Sequence, residues 1–328
     1  MAGACTAGLV APGLEKVRSL IGYDYMLPTA KHLFLEFNPL SDETTATRDF
    51  LEEKFFSSLR MSNGVYKTTS ALRMDDVNKT LIAMFQKLGV APETFLDVAV
   101  SSGISTIEWF ESLQQAGLRP RMSATDLTVT AYLVKLFSWC NVLVDKEGFP
   151  LQYDIFGFAL RPRSPKRYYV LGNYFLTILY RTVYWRFAQR LGLLKRFESL
   201  QGNPPPIDDP VIKAQIKLVT YRLRDKKDIE LLDDDITGPT PSHLRGRFQV
   251  VRAANILNWG YFPVHQLGEN VRNLRDRLTG PGAFLLIVRT EPKGDNHGSV
   301  FRLGDKGSFE VVARIGRGSE IEDIALSI

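Results

Sequence analysis

Cysteine is scarce in this chain: 328 residues contain only Cys5 and Cys140. Two thiols cannot build a disulfide framework or a cysteine zinc site. The scarcity fits a reducing compartment, so a cytoplasmic protein is expected. Long basic runs are missing as well. The formal net charge of +5 permits an anionic partner without requiring one, and no Lys/Arg run reaches the length of a nucleic-acid-binding arm, so no nucleic acid is expected as a partner. The segment from Met1 to Pro12 is small and apolar but lacks a basic n-region, and is not read as a signal peptide. One stretch, Tyr168–Leu194, is long enough to span a bilayer, but Arg181, Arg186 and Arg190 would each cost about 2.5–3.5 kcal/mol at mid-membrane. No internal repeat is visible. What remains is an ordinary globular balance, 45% hydrophobic and 23% charged, in a chain long enough for one large domain or two.

The stretch Phe95–Thr106 reads as a buried strand, a tight small-residue loop and a helix start. Leu96, Val98 and Val100 suit a covered parallel strand. Ala99, Ser101, Ser102 and Gly103 have so little bulk that a ligand can approach the backbone. Ser105 and Thr106 can cap a helix through Ile107, Phe110 and Leu113. Asp97 is the one charge in the strand, and a carboxylate there costs free energy unless a cation pairs with it. Downstream, Arg121–Leu127 reads as a second strand ending at Asp126. A carboxylate in that position of a Rossmann-like unit can accept both ribose hydroxyls; the alternative is that Asp126 caps a helix from Thr128 to Ser138.

Residues 14–90 look mostly helical, with one helix opening at Asp42 or Thr44 and a second at Asp75 or Asp76, stopped by Gly89. Asn141–Asp145 and Leu151–Phe158 flank Lys146-Glu147-Gly148 as a hairpin, and Arg161–Arg167 reads as a linker. Tyr168–Leu194 places Leu176, Tyr180, Val183, Tyr184, Phe187, Leu191 and Leu194 on one helical face, with Ile178 and Trp185 left on the polar arc. Three uses compete: core packing, the wall of a pocket for an apolar substrate, or peripheral contact with a membrane surface. Pro204-Pro205-Pro206 ends the region. Asp228–Ile236 is a third strand running into the acidic turn Asp233-Asp234-Asp235, which is a solvated turn or a cation site. Phe248–Phe262 is a fourth strand with a loop containing Asn255 and Asn258, each a ligand contact or a turn cap. A helix from Val264 to Leu278, the turn Thr279–Gly282, a fifth strand Ala283–Glu291 and a hairpin of Gly298–Leu303 with Ser308–Ile315 complete the chain.

The Asp97–Gly103 loop resembles motif I of the class I S-adenosylmethionine-dependent methyltransferases, with Ala99 and Ser101 standing where that family has glycine. Ala124-Thr125-Asp126-Leu127-Thr128 is similar to motif II. Asn255, Ile256, Leu257, Tyr261 and Phe262 resemble the strand-four signature of the chemotaxis-receptor methyltransferases, from which Ala254 and the inserted Trp259-Gly260 depart. The resemblance spans about residues 90–135 and 225–328. It implies a Rossmann-like α/β fold, mostly parallel, with a C-terminal antiparallel hairpin, a helical N-terminal cap (1–90), a cofactor domain (91–140 and 226–328) and an insertion between strands two and three (141–225) on the substrate side. It implies S-adenosylmethionine as cofactor, held by Asp97, Ala99, Ser101, Ser102, Gly103, Asp126 and Leu127. Asp235 (or Asp234) and Ile236 would lie at the adenine, with Asn255 at the fourth strand. Arg73 is either a partner for the cofactor carboxylate or a solvated arginine. The acceptor is expected to be a small, apolar or lipid-like molecule. His243, Tyr261 and His265 are possible bases by position alone and are not assigned as catalytic. Two rival readings are a nicotinamide-dependent oxidoreductase, which would want G-x-G-x-x-G after the first strand, and a non-catalytic binding module. A protein carboxyl methyltransferase is the variant suggested by the fourth strand.

Overall fold

The computed structural model describes residues 27–37, 42–67, 71–160, 171–200 and 202–328. The readings of Met1–Pro12, of the linker 161–167 and of the first aromatics of the long helix lie outside the described residues. In chain order, a helical turn at His32–Glu36 precedes α1 (Asp42–Ser58), α2 (Asp75–Leu88), β1 (Thr94–Val98), α3 (Ile104–Gln115), β2 (Arg121–Asp126) and β3 (Thr130–Phe137). Then come β4 (Cys140–Asp145), β5 (Pro150–Ile155), β6 (Phe158–Leu160), α4 (Leu171–Leu191), α5 (Leu193–Leu200), β7 (Ile212–Lys217) and α6 (Tyr221–Arg224). The chain ends with β8 (Ile229–Asp233), β9 (Val250–Ala254), α7 (Val264–Arg275), β10 (Phe284–Thr290), β11 (Asn296–Leu303), β12 (Phe309–Ile315) and α8 (Glu322–Leu326). The chain divides into two compact units, residues 69–129 with 219–328, and residues 1–68 with 130–218.

The first of these units is built on a seven-stranded sheet in the order β12-β11-β10-β9-β1-β2-β8. Strands β8, β2, β1, β9 and β10 are parallel, and β10, β11 and β12 form an antiparallel meander. This is the mostly parallel, Rossmann-like sheet with a C-terminal antiparallel hairpin that the resemblance implies. The central strands are apolar at almost every position because both faces are covered. Phe95, Val250, Phe284, Leu286 and Val288 pack with α2 and α3, while Leu96, Val98, Val251, Leu285 and Ile287 pack with α7. Helix α2 follows its sequence signals: Asp75 and Asp76 lie in the first turn, Lys87 in the last, and Gly89 closes it at φ +65°. Carboxylates at the start and a cation at the end both oppose the helix dipole, and the left-handed glycine frees the chain to turn.

The other unit is a five-stranded antiparallel sheet, β6-β5-β4-β3-β7, inserted between β2 and β8 of the first. One face packs against Leu51, Phe55 and Phe56 of α1 and Leu59 just beyond it, which meet Ala131, Leu133, Leu143 and Ile216. The opposite face packs Tyr132, Val134, Val142 and Tyr153 against Tyr184 and Ala188 of α4 and Phe197 of α5. The helix expected at Thr128–Ser138 is therefore strand β3. Its residues Thr130 to Val134 are all buried, because helices cover both faces. An uninterrupted apolar run of that kind carries no period by which strand and helix can be told apart. By compactness β3 falls with the five-stranded sheet and α2 with the seven-stranded unit, so the units divide near residues 68 and 129, beside the boundaries at 90 and 141 expected from the sequence. In α4, Tyr184 is buried and its hydroxyl donates to the Gly148 carbonyl at 2.7 Å. Trp185 does not lie free on a polar arc. It packs partly on the same core, its ring 5.6 Å from that of Tyr184. No helix among the described residues is long and apolar enough to cross a membrane.

Candidate cofactor site

From β1 the chain crosses through α3 to β2 on one side, and from β9 through α7 to β10 on the other. Open α/β sheets bind ligands at the carboxyl ends of the strands flanking such a reversal. The β1–α3 loop lies there. It takes left-handed φ at alternate residues, +56° at Ala99, +58° at Ser101 and +83° at Gly103. Glycine adopts this region freely, whereas a residue with a Cβ gives up about 1–2 kcal/mol. A Cβ at Gly103 would lie 2.2 Å from Leu223 Cδ2, so packing as well as φ requires glycine there. The Val100 amide donates to the Thr125 carbonyl at 3.1 Å and the Thr220 amide to the Ser102 carbonyl at 2.9 Å. Ala99 and Ser101 are half-exposed. The buried hydroxyls of Ser102 and Thr125 have no hydrogen-bond partner among the described residues.

Asp126 ends β2 beside this loop. Its Oδ2 accepts from the Ser101 amide at 2.7 Å and its Oδ1 from the Thr128 amide at 3.2 Å. It thus stitches the loop to β2 instead of capping a helix. Leu127 follows it, half-buried. The three carboxylates beyond β8 are separately engaged. Asp233 Oδ1 accepts from the Val129 amide at 2.7 Å, Asp234 is buried against the Arg277 guanidinium, and Asp235 Oδ1 accepts from the Thr237 amide and hydroxyl at 2.9 and 2.7 Å. No group of three or more His, Cys, Asp or Glu able to hold a metal ion occurs among the described residues. Asp235 is exposed, while the Ile236 side chain is buried in the core behind it. The Asp234 amide donates to the Asp126 carbonyl at 2.9 Å, which brings this turn beside the end of β2.

Asp97 does not face the crevice. It is 2% exposed and its partner is Arg252, aligned with it on the neighbouring strand β9. Arg252 Nε reaches Asp97 Oδ1 at 2.9 Å and Nη2 reaches Oδ2 at 2.5 Å, while Thr106 Oγ1 donates to Oδ2 at 2.7 Å. The guanidinium also donates to the Ser105 carbonyl at 3.0 Å and Asn78 Oδ1 at 3.3 Å, and lies 4.2 Å from the centroid of the Trp109 ring. The cation that Asp97 requires is this arginine, and the pair fixes β1, β9 and the start of α3 beneath the loop. The sequence reading passed over Arg252. The signal was available: one charge in each of two otherwise apolar parallel strands.

Asn255, at φ +63°, spends its side chain on β10, with Oδ1 accepting from the Thr290 amide at 2.7 Å. Thr290 Oγ1 donates to Asn296 Oδ1 at 2.8 Å, and Asn296 Nδ2 donates to the Arg73 carbonyl at 2.8 Å. Asn258 caps its own turn through the Gly260 amide at 2.9 Å. Arg73 is half-buried, and its Nε is buried with no hydrogen-bond partner among the described residues. Burial, and next the Arg252 guanidinium, lower its pKa, while Glu108 and Tyr261 act in the opposite direction. Glu108, also missed, accepts from the Leu72 amide at 2.8 Å, and burial raises its pKa. Beyond β9, Trp259, Tyr261 and Val264 are exposed, as are His243 and His265.

No protein-family model matches this chain, and no curated protein matches it. Among solved structures, it is similar to the N-methyltransferase NodS from Bradyrhizobium japonicum WM9 in complex with S-adenosyl-L-homocysteine, at 13% identity and a TM-score of 0.29 over 67% of this chain and 63% of that one. It is similar to the CMeT domain of the citrinin polyketide synthase, at 12% identity and a TM-score of 0.32 over 76% of this chain and 39% of that one. A third similarity is to CalS10 from Micromonospora echinaspora, an amino pentose methyltransferase with bound SAM, at 12% identity and a TM-score of 0.29 over 77% and 79% of the two chains. The match spans less than two thirds of the length of the first two.

Proposed function

We propose that the chain is an S-adenosylmethionine-dependent methyltransferase acting on a small acceptor. The observation that carries this reading is the loop after β1. It sits at the reversal of strand order and holds three alternate left-handed residues, two of them without the glycine that makes such a shape easy. Strained backbone of this kind persists where the surrounding structure enforces it, commonly at ligand sites. Because Ala99 and Ser101 keep the left-handed shape, the missing glycines do not favour a non-catalytic module.

When bound, S-adenosylmethionine supplies a methyl carbon activated by its sulfonium. The residues present fit it. The small loop residues admit it close to the backbone, and the half-exposed Asp126 carboxylate stands beside that loop as an acceptor for ribose hydroxyls. The unpartnered Nε of Arg73 suits the carboxylate. Asp235 stands exposed in the turn that the Asp234 amide ties to the end of β2 and would accept from a purine amino group, with the half-buried Leu127 in place of the buried Ile236 as the apolar residue against the ring. Asp97 acts through the Arg252 pair and Asn255 through Thr290, so both shape the site from behind. The chain's contribution to the chemistry is alignment. Trp259, Tyr261 and Val264, in the segment that follows β9, are exposed, and that apolar surface supports an apolar acceptor. The strand-four likeness to chemotaxis-receptor methyltransferases supports no separate carboxyl acceptor, since Ala254 replaces its arginine and the tip of the inserted Trp259 is tied to Glu320.

The test is a thermal shift against S-adenosylmethionine, S-adenosylhomocysteine and NAD, followed by calorimetry on Asp126→Ala. Stabilisation by the first two and not by NAD is expected. The variant should lose about 1.5–3 kcal/mol of binding for each charge-assisted bond removed. Stabilisation by NAD alone would reverse the assignment, and unchanged affinity in a folded Asp126→Ala would remove the ribose role.

A further inference from the structure

Three aromatic rings of the five-stranded unit are stacked in the open. The Phe137 and Trp139 rings lie 5.2 Å apart at 13°, and those of Trp139 and Phe156 lie 5.3 Å apart at 14°. They are 42%, 37% and 62% exposed. Phe137 ends β3, Trp139 lies in the β3–β4 turn and Phe156 in the β5–β6 turn. The two turns lie at the same end of the sheet, joined by the Phe156 amide donating to the Trp139 carbonyl at 2.9 Å. Folding does not explain them. Phe156-Gly157 is a two-residue turn with φ +52° and +83°. Such turns favour asparagine or glycine at the first position, and a phenylalanine there is both strained and wet.

The surroundings are basic. Lys135 is exposed one strand repeat before Phe137. The ring of Phe187 on α4 lies 6.4 Å from that of Phe137, and on either side of Phe187 in sequence Arg186 and Arg190 are exposed, with Arg181 a turn earlier. Helix α4 contains no acidic residue. Stacked aromatics at hairpin tips, with exposed cations on the adjoining strand and helix, match the two components of a membrane interface: rings settle at the headgroup level and cations meet anionic lipid.

We propose that the hairpin tips Phe137, Trp139 and Phe156, flanked by Lys135, Arg186 and Arg190, dock this unit on an anionic lipid surface. The contact is peripheral and independent of the cofactor reading, since it involves neither the loop after β1 nor Asp126. Opposing charge selects a lipid headgroup surface over a second copy of this equally basic patch.

The test uses the full chain, without cofactor, in co-sedimentation with phosphatidylcholine vesicles and with vesicles of phosphatidylcholine and phosphatidylserine. Binding to the anionic vesicles only, weakened by salt, is expected. Phe156→Asn places a favoured residue in the turn, so its melting temperature should hold or rise while vesicle binding falls severalfold. Trp139→Ser should behave alike in binding. Arg186→Glu with Arg190→Glu should weaken binding roughly tenfold or more. The inference is overturned if the wild type binds neither vesicle, or if a folded Phe156→Asn binds as tightly as wild type. It is equally overturned if the wild type elutes as a dimer that Phe156→Asn converts to monomer, which would mean that the rings cover one another between copies.

Discussion

Removing either member of the Asp97–Arg252 pair should damage the fold far more than removing both. Neither residue is more than 2% exposed. Asp97→Asn leaves a guanidinium buried with Trp109, Asn78 and the Ser105 carbonyl but no counter-charge. Arg252→Met leaves a carboxylate with Thr106 as its remaining polar partner. Breaking a buried ion pair from one side costs about 3–5 kcal/mol, a large share of the roughly 5–15 kcal/mol that holds an ordinary domain together. The double variant loses the attraction but also both desolvation penalties, so it should cost much less than the sum. Coupling between directly bonded residues falls at about 0.5–3 kcal/mol, and this pair, bidentate and dry, belongs at the upper end. Urea unfolding of the four proteins, followed by far-UV circular dichroism, gives the cycle from midpoints at constant m. S-adenosylmethionine titration of the double variant adds the functional arm, where near-wild-type affinity is expected because the carboxylate serves the fold. Additive costs would refute the pairing. A double variant of good stability that no longer binds the cofactor would return Asp97 to the binding site.

Three further outcomes follow from the same structure. Ala99→Gly with Ser101→Gly relieves two left-handed residues, and after the extra chain entropy of glycine the net gain should be about 1–2 kcal/mol, read as a higher melting temperature with cofactor affinity retained; an unchanged or lower melting temperature would contradict the φ values. Gly103→Ala should destabilise by more than about 1 kcal/mol in denaturant, through both its φ and the collision with Leu223. Burial pushes the Asp145 carboxyl up to about 6, against the lowering effect of the Phe149 and Glu147 amides. The folded state therefore holds this proton longer than the unfolded chain does. Stability from this group is fully present below the ordinary carboxylate pKa and is lost as pH rises through about 6. Asp145→Asn should lack that loss, gaining on wild type by on the order of 2–3 kcal/mol between about pH 4 and pH 7 in paired urea titrations.

Most of the seven-stranded unit is legible in the sequence because its signals are local. Asp75 with Gly89 brackets α2, Arg121–Asp126 is bounded as β2, and the Gly304–Gly307 turn marks the β11–β12 hairpin. The five-stranded unit is legible only in part. The hairpin of β4 and β5 has its turn signal, but β3 is buried on both faces and has no period. Its partner β7 arrives from the far side of the long helix, a pairing that no local pattern encodes.

The candidate site divides along the same line. Backbone features carry over: the small-residue loop, the carboxylate ending β2 and the acidic turn all lie at the carboxyl end of the sheet, because strand order alone sends them there. Side-chain roles do not carry over, because each depends on a partner remote in sequence. Asp97 and Arg252 are 155 positions apart, as are Thr94 and Gln249 on the same two strands. Asp234 meets Arg277 across 43 positions and Asn255 meets Thr290 across 35. A lone charge in an apolar strand therefore states a need and leaves its solution to register. Parallel pairing of β1 with β9 puts Asp97 and Arg252 at the same level, and once that pairing is known the carboxylate is committed to the fold. Asp126, by contrast, is half-exposed at the end of β2, where it ties the loop to its strand through the Ser101 and Thr128 amides. That contrast, between a carboxylate sunk against a buried guanidinium and one half-exposed at the end of its strand, is what supports the proposed cofactor role for Asp126 over Asp97.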